Sequence, residues 1–367
     1  MLDPLDEYPI HQTPGPLTEN SLGSNAYDRY FFNGYNDDGS VFFAVALGVY
    51  PNKRIIDAAL CVAVDGVQHS VFASDRLGPD RRATSVGPIK VEIVEPMAVI
   101  RVTVDHPEVG LDATFSARTP PIEEPRFTNF DMDLGVFDYT RYTQFGGWTG
   151  SAIADGTTID FANSGPMRGC RDRSWGQRGG RGPDAAPVAP QFFWMWTPIN
   201  FDDGGLHLDV NENADGTRWH QGGFVAPPLG HDSVPWIQPV EAMASIDYRL
   251  ELEPGTRWAK RAELTFSPWR AESFTVELTP IMRFQMSGVG YGHPRFRHGT
   301  WVGDAVVETE HVDLAAVDPT SPGNFHVQQL VRAVAGERRG IGVLELLIIG
   351  PHAGTGLQAL ADVAPAT

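Results

Sequence analysis

Cysteine is almost missing from this chain: Cys61 and Cys170 are the only two in 367 residues. They lie far apart and in no metal-ligand spacing, which argues against a disulfide framework or a thiolate metal site. Two free thiols in a reducing cytoplasm are expected instead. Long apolar runs are also missing. Ile341–Ile349 is short and carries Glu345 inside it, well under the ~20 apolar residues that span a bilayer as a helix. The N-terminal stretch Met1 to Leu17 has early acids, several prolines and no apolar run, unlike a secretory signal. Basic residues are scarce, with 28 Lys and Arg against 46 Asp and Glu and a net charge of -18. A surface this acidic repels phosphate backbones and anionic headgroups, so neither nucleic acid nor membrane is expected as a partner.

Cofactor and nucleophile motifs are absent as well. There is no G-x-x-x-x-G-K-[ST] loop, no G-x-S-x-G elbow, no H-E-x-x-H and no C-x-x-C. Gly288-Val289-Gly290-Tyr291-Gly292 runs into Pro294 instead of opening a helix and reads as a turn. His293 and His298 lack further ligands nearby in sequence, so neither a metal nor a cofactor is expected.

What remains is strand after strand. Hydrophobic residues at 42% and charged residues at 20% suit a folded chain with large cores, and the length suits two domains. Apolar or alternating runs predict strands at 41–50, 57–64, 67–73, 89–94, 98–104 and 111–116. In the second half they fall at 192–199, 206–211, 217–224, 246–252, 261–266, 274–278, 282–286 and 301–308. Asp65-Gly66 and Asp155-Gly156 are hairpin pairs, because Gly takes a positive φ at little cost. With 39 Gly and 29 Pro there is little room for long helices. Helices are predicted only over 326–334, where Val327, Leu330, Val331 and Val334 match a 3.6-residue period, and over 357–363. The Gly-, Pro- and Ala-rich stretch 179–190 is the best linker, dividing the chain into 1–183 and 184–367. The expected fold is all-β, two antiparallel barrel or sandwich domains with few short helices.

Polar chemistry concentrates in clusters. The first holds Tyr139, Arg141 and Tyr142, and the second runs Arg171-Asp172-Arg173-Ser174-Trp175. In an extended chain Asp172 and Ser174 share one face, and Arg171, Arg173 and Trp175 the other. The spacing allows Asp172 to point into a barrel with the arginines outside, or the reverse. Burial would raise the carboxyl pKa and suit a general acid, whereas close arginines would keep it ionised. Trp194 and Trp196 precede a strand in which His207, Asp209 and Asn211 alternate with apolar residues. That strand suits either a pocket wall with an acid–base pair or a solvated face. His293 and His326 sit in later polar stretches. Residues Asn25 to Tyr35 form another, placed to cover a barrel mouth.

The two-half β pattern with Arg171-Asp172-Arg173-Ser174-Trp175-Gly176 closing the first half resembles the two-domain lipocalin-like proteins of the AttH and carotenoid 1,2-hydratase type. The late Gly292-His293-Pro294, His298-Gly299 and His326-Val327-Gln328-Gln329 look closest to a bacterial branch of that family. The resemblance implies cofactor-free chemistry on large apolar molecules, with the motif acid at Asp172 and the motif tryptophan at Trp175. Arg173 stands where the family commonly has histidine, so the resemblance does not extend to carotenoid hydration itself. The expectation is a cofactor-independent lyase, hydratase or isomerase acting on a hydrophobic small molecule; a non-catalytic carrier is the alternative. Asp172 would be the acid or base and Tyr139, Tyr142, His207 or His326 its proton partner, with Arg173 or Arg141 holding an oxyanion. Trp175, Trp194, Trp196, Arg141 and His293 would contact substrate, and a homodimer is allowed.

Overall fold

The structure, a computed structural model, describes residues 4–9, 23–80, 82–129, 137–178, 191–230, 233–360 and 362–365. It is all-β: two curled antiparallel half-barrel sheets, with helical turns among the described residues no longer than four residues. The first sheet has fourteen strands. Its main path runs Val306–Asp313, Val67–Arg76, Ile55–Val64, Val41–Tyr50, Ala26–Asn36, Met167–Arg178, Phe137–Ala154, Val109–Ala117, Val99–Val104, Ile89–Glu95 and Ser85–Val86. The second has nine, in the order Glu241–Ala242, Arg218–Ala226, Gly204–Glu212, Phe192–Phe201, Arg338–Ile349, Val327–Ala335, Phe274–Gln285, Ala259–Ser267 and Ser245–Leu252. Membership follows the two sequence halves except at Val306–Asp313, which pairs with Val67–Arg76 and so edges the first sheet. The linker stretch 179–190 lies outside the described residues.

Local turn chemistry explains the hairpins. Asp65 and Gly66 both take positive φ, as do Asp155 and Gly156, so each pair closes a two-residue turn matched to the strand twist. Side-chain alternation then sorts three cores. In Ala26–Asn36, Tyr30 and Phe32 pack inside the first sheet with Val45, Ile100 and Phe115. Tyr27, Phe31 and Tyr35 point the other way and meet Trp194, Trp196 and Phe284 of the second sheet. A third core, with Phe193, Leu208, Leu264 and Leu344, fills the second sheet. Strands at the junction are therefore buried on both faces, and all eleven residues of Ala26–Asn36 are buried.

That double burial corrects the expected helix at 326–334: Val327–Ala335 is a strand. Val327, Val331 and Ala333 enter the third core, while Gln328 and Leu330 face the first sheet. With no solvated face the strand lacks a clear two-residue hydrophobic alternation, and its valines and leucine match a helical period by chance. Among the described residues the expected helix at 357–363 is also absent: Leu357 bridges to His352, and a bend and turn follow. The expected strand at 301–308 begins only at Val306.

The first barrel holds charge in its interior. Arg171 donates to Glu7 (Nη1 to Oε2 3.0 Å, Nη2 to Oε1 2.6 Å) and through Nε to Gln144 at 3.0 Å, all fully buried. Removing one member of such a pair strands the other in a medium that cannot solvate it. Arg171→Met is expected to lower stability by about 3–5 kcal/mol, read from the urea midpoint; a loss within error of zero would show that Glu7 is solvated.

Candidate active site

Met167–Arg178 is extended throughout, and its neighbours fix which face is which. Asp172 and Ser174 point into the space between the two sheets, while Arg171 and Arg173 point into the first barrel. The orientation is thus the reverse of an inward Asp172. Arg173 donates to the Asp28 carboxylate, to Arg29 O at 2.8 Å and to Tyr8 O at 3.1 Å, and lies 3.8 Å over the Tyr30 ring.

A cavity of about 420 Å³ opens between the sheets. The first sheet contributes Tyr27, Arg29, Tyr50 and Arg178, and the second Trp194, Glu345 and Leu347; loops bring Tyr291, His298 and His326. A more enclosed recess of about 10 Å³ adjoins it, walled by Phe31, Arg141, Asp172, Ser174 and Trp196. Arg178, Trp194, Tyr291 and Glu345 line both spaces. The recess has room for about one water-sized group.

Two carboxyl groups in this recess are pushed apart in acidity. Burial raises Asp172 to about 6, against the attraction of Arg141 and Arg29 and with the help of Glu124 and Glu345. Among the described residues no side chain donates a hydrogen bond to it. Glu345 moves the other way: burial opposes ionisation, but hydrogen bonds hold its pKa below the usual value. His326 Nε2 and Trp194 Nε1 reach Oε1 at 2.8 Å each, and Gln328 Nε2 reaches Oε2 at 2.6 Å. One recess is thus lined by two carboxyl groups of different acidity, Asp172 the weaker acid, an arrangement that divides acid and base roles. Positive charge is close: Arg29 donates to Tyr291 Oη at 2.5 Å, and Arg141 lies 4.6 Å over the Trp194 ring.

The expected site residues divide between this space and elsewhere. Asp172, Arg141, Trp194, Trp196 and His326 come together around it. Tyr139 sits behind the wall, under the Arg178 guanidinium at 5.0 Å and edge-on to Tyr27. Tyr142 and Trp175 share the barrel side with Arg173; Tyr142 donates to Glu7, and the two rings meet edge to face. His293 is held by Glu310 at 2.7 Å and packs on Phe72, away from the cavity. Arg173, Tyr142, Trp175 and His293 are therefore placed by pairing and packing outside the cavity wall.

His207 belongs to a separate buried network. Its Nε2 is 3.0 Å from Asp209 Oδ1 and 3.4 Å from Glu124 Oε1, and His220 Nε2 contacts the other Asp209 oxygen. The polar face expected on this strand is real, but it is packed between the sheets and not solvated. Burial works against the Asp209 charge, yet His220 and His207 drive its pKa far below the ordinary value. Glu124, His207 and Asp209 have ligand atoms within 4.8 Å of one another and are the one group among the described residues with the donors to hold a metal ion. Glu124 is already engaged by Arg141 and by Thr143 Oγ1 at 2.6 Å.

Sequence reasoning passed over Glu345 as a site residue, although a lone charge in the nine-residue apolar run 341–349 has to find partners. It also passed over Tyr50, Tyr291 and His298 as site residues, which adjoin the site only through the fold.

Two curled antiparallel half-barrel sheets with a cavity at their junction make the fold lipocalin-like. Similar solved structures include a putative AttH from Nitrosomonas europaea, with TM-score 0.52, 12% identity and coverage of 94% of this chain and 99% of that one. Kievitone hydratase from Nectria haematococca has TM-score 0.52, 12% identity and coverage of 93% and 95%. The chain belongs to the family of unknown function DUF8625, whose model matches residues 2–358. No curated protein matches at a significant level.

Asp172 makes stability depend on pH in a definite direction. Its folded-state pKa of about 6 exceeds the ordinary 3.8, so the folded protein binds this proton more tightly. That contribution is present below about pH 4 and is lost as pH rises through 6. Asp172→Asn is expected to gain on the wild type by up to about 3 kcal/mol between pH 4 and pH 8, measured by denaturant unfolding at both values. A constant difference would mean that the carboxyl is solvated.

Proposed function

We propose that this protein is an acid–base lyase, hydratase or isomerase acting on a hydrophobic small molecule bound between its two sheets. The observation that carries the reading is the pairing of a half-buried Asp172 of raised pKa with an ionised, hydrogen-bonded Glu345 in one recess of a largely apolar cavity. Asp172 serves as general acid to a carbon or leaving oxygen. Glu345, oriented by His326 and Gln328, takes or relays the compensating proton. Arg141 and Arg29 offset the negative charge that an elimination or enolisation develops. Trp194 and Trp196 supply flat apolar walls. The similar fold of a protein named as a hydratase supports this class of reaction. A carrier would favour a wall with few charges, and the polar residues of the recess count against one.

The reading extends to setting. Two units divided at 183/184 are the working division, and homodimerisation is compatible with it. Cytoplasmic residence is supported by two buried free thiols, and no described helix is long and apolar enough to cross a membrane.

The test begins with native mass spectrometry of the purified protein and identification of any small molecule that copurifies. That compound, together with kievitone and other apolar alkenes, is then assayed for water addition or loss. Wild-type kcat/KM is expected to fall above pH 6, by roughly a factor of ten per pH unit, as the acid ionises. Asp172→Asn is expected to abolish turnover with folding intact. Full activity in that variant sinks the assignment, and a copurifying ligand that is never converted favours the carrier.

A further inference from the structure

The end of the cavity away from Asp172 has its own unused polar chemistry. Tyr50 Oη and His298 Nε2 are buried and without a hydrogen-bond partner among the described residues. Both residues line the cavity. An unpartnered buried polar group costs about 1–3 kcal/mol, and two in one wall call for a partner the protein does not supply. The packing around them is built to hold the rings. A Cβ at Gly299 would lie 2.7 Å from the Tyr50 ring, and one at Gly290 would lie 3.0 Å from His298 Cε1. Both glycines also have positive φ. The glycine-rich stretch 288–299 is thereby explained as the frame of this wall.

The imidazole has a defined polarity. Asp57 Oδ1 faces His298 Nδ1 at 3.5 Å, and Asp57 Oδ2 accepts the Gly299 N–H at 2.6 Å, which fixes the carboxylate. Burial and then Arg29 push the His298 pKa down to about 4 despite Asp57. A neutral ring facing a carboxylate keeps its proton on Nδ1, so Nε2 is a lone-pair acceptor. Tyr291 stands between the two ends, with its ring 4.7 Å from His298 and 4.9 Å from His326.

We infer that the cavity takes an apolar, ring-bearing ligand that ends in a hydroxyl, phenolic or enolic, which donates to His298 Nε2 beside the Tyr50 hydroxyl. This rests on reading the cavity as the ligand site, but does not depend on Asp172 as the acid. His298 is a positioning residue here: it anchors one end of the molecule so that the other reaches the recess. The hydroxyl is selected because a methyl ether has no proton to give, and an acceptor facing an acceptor is left unpaired.

The experiment uses 2-naphthol and 2-methoxynaphthalene as probes on the full chain. Binding is followed by tryptophan fluorescence and by long-range ¹H–¹⁵N spectra of ¹⁵N-histidine protein. Naphthol is expected to bind about tenfold more tightly than the ether. Its binding should move the His298 Nε2 signal from that of a free imine nitrogen toward that of a hydrogen-bonded one. His298→Phe should bring the two affinities within twofold, while Asp172→Asn keeps the preference. If His298→Phe fails to fold, Asp57→Asn serves instead, since an amide facing Nδ1 frees the proton for Nε2 and erases the preference. Equal affinities in the wild type, a stationary Nε2 signal, or a preference that survives in these variants overturns the hydroxyl subsite alone. Absence of binding by both probes overturns the cavity as a ligand site, and the proposed function with it.

Discussion

Glu345 is ionised in a place where burial alone would neutralise it, because His326, Gln328 and Trp194 all donate to it. Much of the junction between the sheets is arranged around that requirement. Gln328 is held from the first sheet by Asn33, whose other end accepts from the Cys170 backbone N–H at 2.9 Å. The Trp194 indole is fixed against the cavity by the same carboxylate. Asp172, two residues along the strand from Cys170, then meets a fixed negative charge and keeps its own proton more readily. Burial does most to raise Asp172, and the charge of Glu345 on the other sheet adds a smaller push in the same direction.

The same rule, that a charge without solvent must be paired, sorts the chain's many polar clusters. Arg171 and Arg173 pair inside the first barrel with Glu7, Gln144 and Asp28. His207, His220 and Arg141 each pair with Asp209 or Glu124. The cavity wall leaves three polar atoms without a hydrogen-bond partner among the described residues, at Tyr27, Tyr50 and His298. Incomplete pairing in one enclosed space is a better pointer to chemistry than the density of polar residues along the chain.

That distinction explains what could be read in advance. Strands bounded by Asp-Gly turns were legible because the turn chemistry and the two-residue alternation act locally. The opposite facing of Asp172 and Arg173 was legible too, but not which face looked where, since that depends on the partner sheet. Arg173 follows Asp172 in sequence and Tyr142 lies in its own polar cluster, yet alternation turns both to the barrel side, where Tyr142 pairs across the ladder with Arg173. The His298 wall was hidden for a different reason: Tyr50 and Asp57 come from the first sheet and reach His298 only through tertiary contact. Val327–Ala335 was misread because burial on both faces erases the pattern that tells strand from helix.

The strand Val306–Asp313 belongs by sequence to the second half and by hydrogen bonding to the first sheet, where His311 Nδ1 meets His69 Nδ1 at 2.8 Å. Its absence would leave Val67–Arg76 as an open edge, a row of free N–H and C=O groups ready to recruit another chain. During synthesis the first sheet therefore waits for some 230 residues between its fourth strand and the one that seals it. Completion of the early half is coupled to arrival of the late half, so a truncated product carries an adhesive edge while a finished one does not.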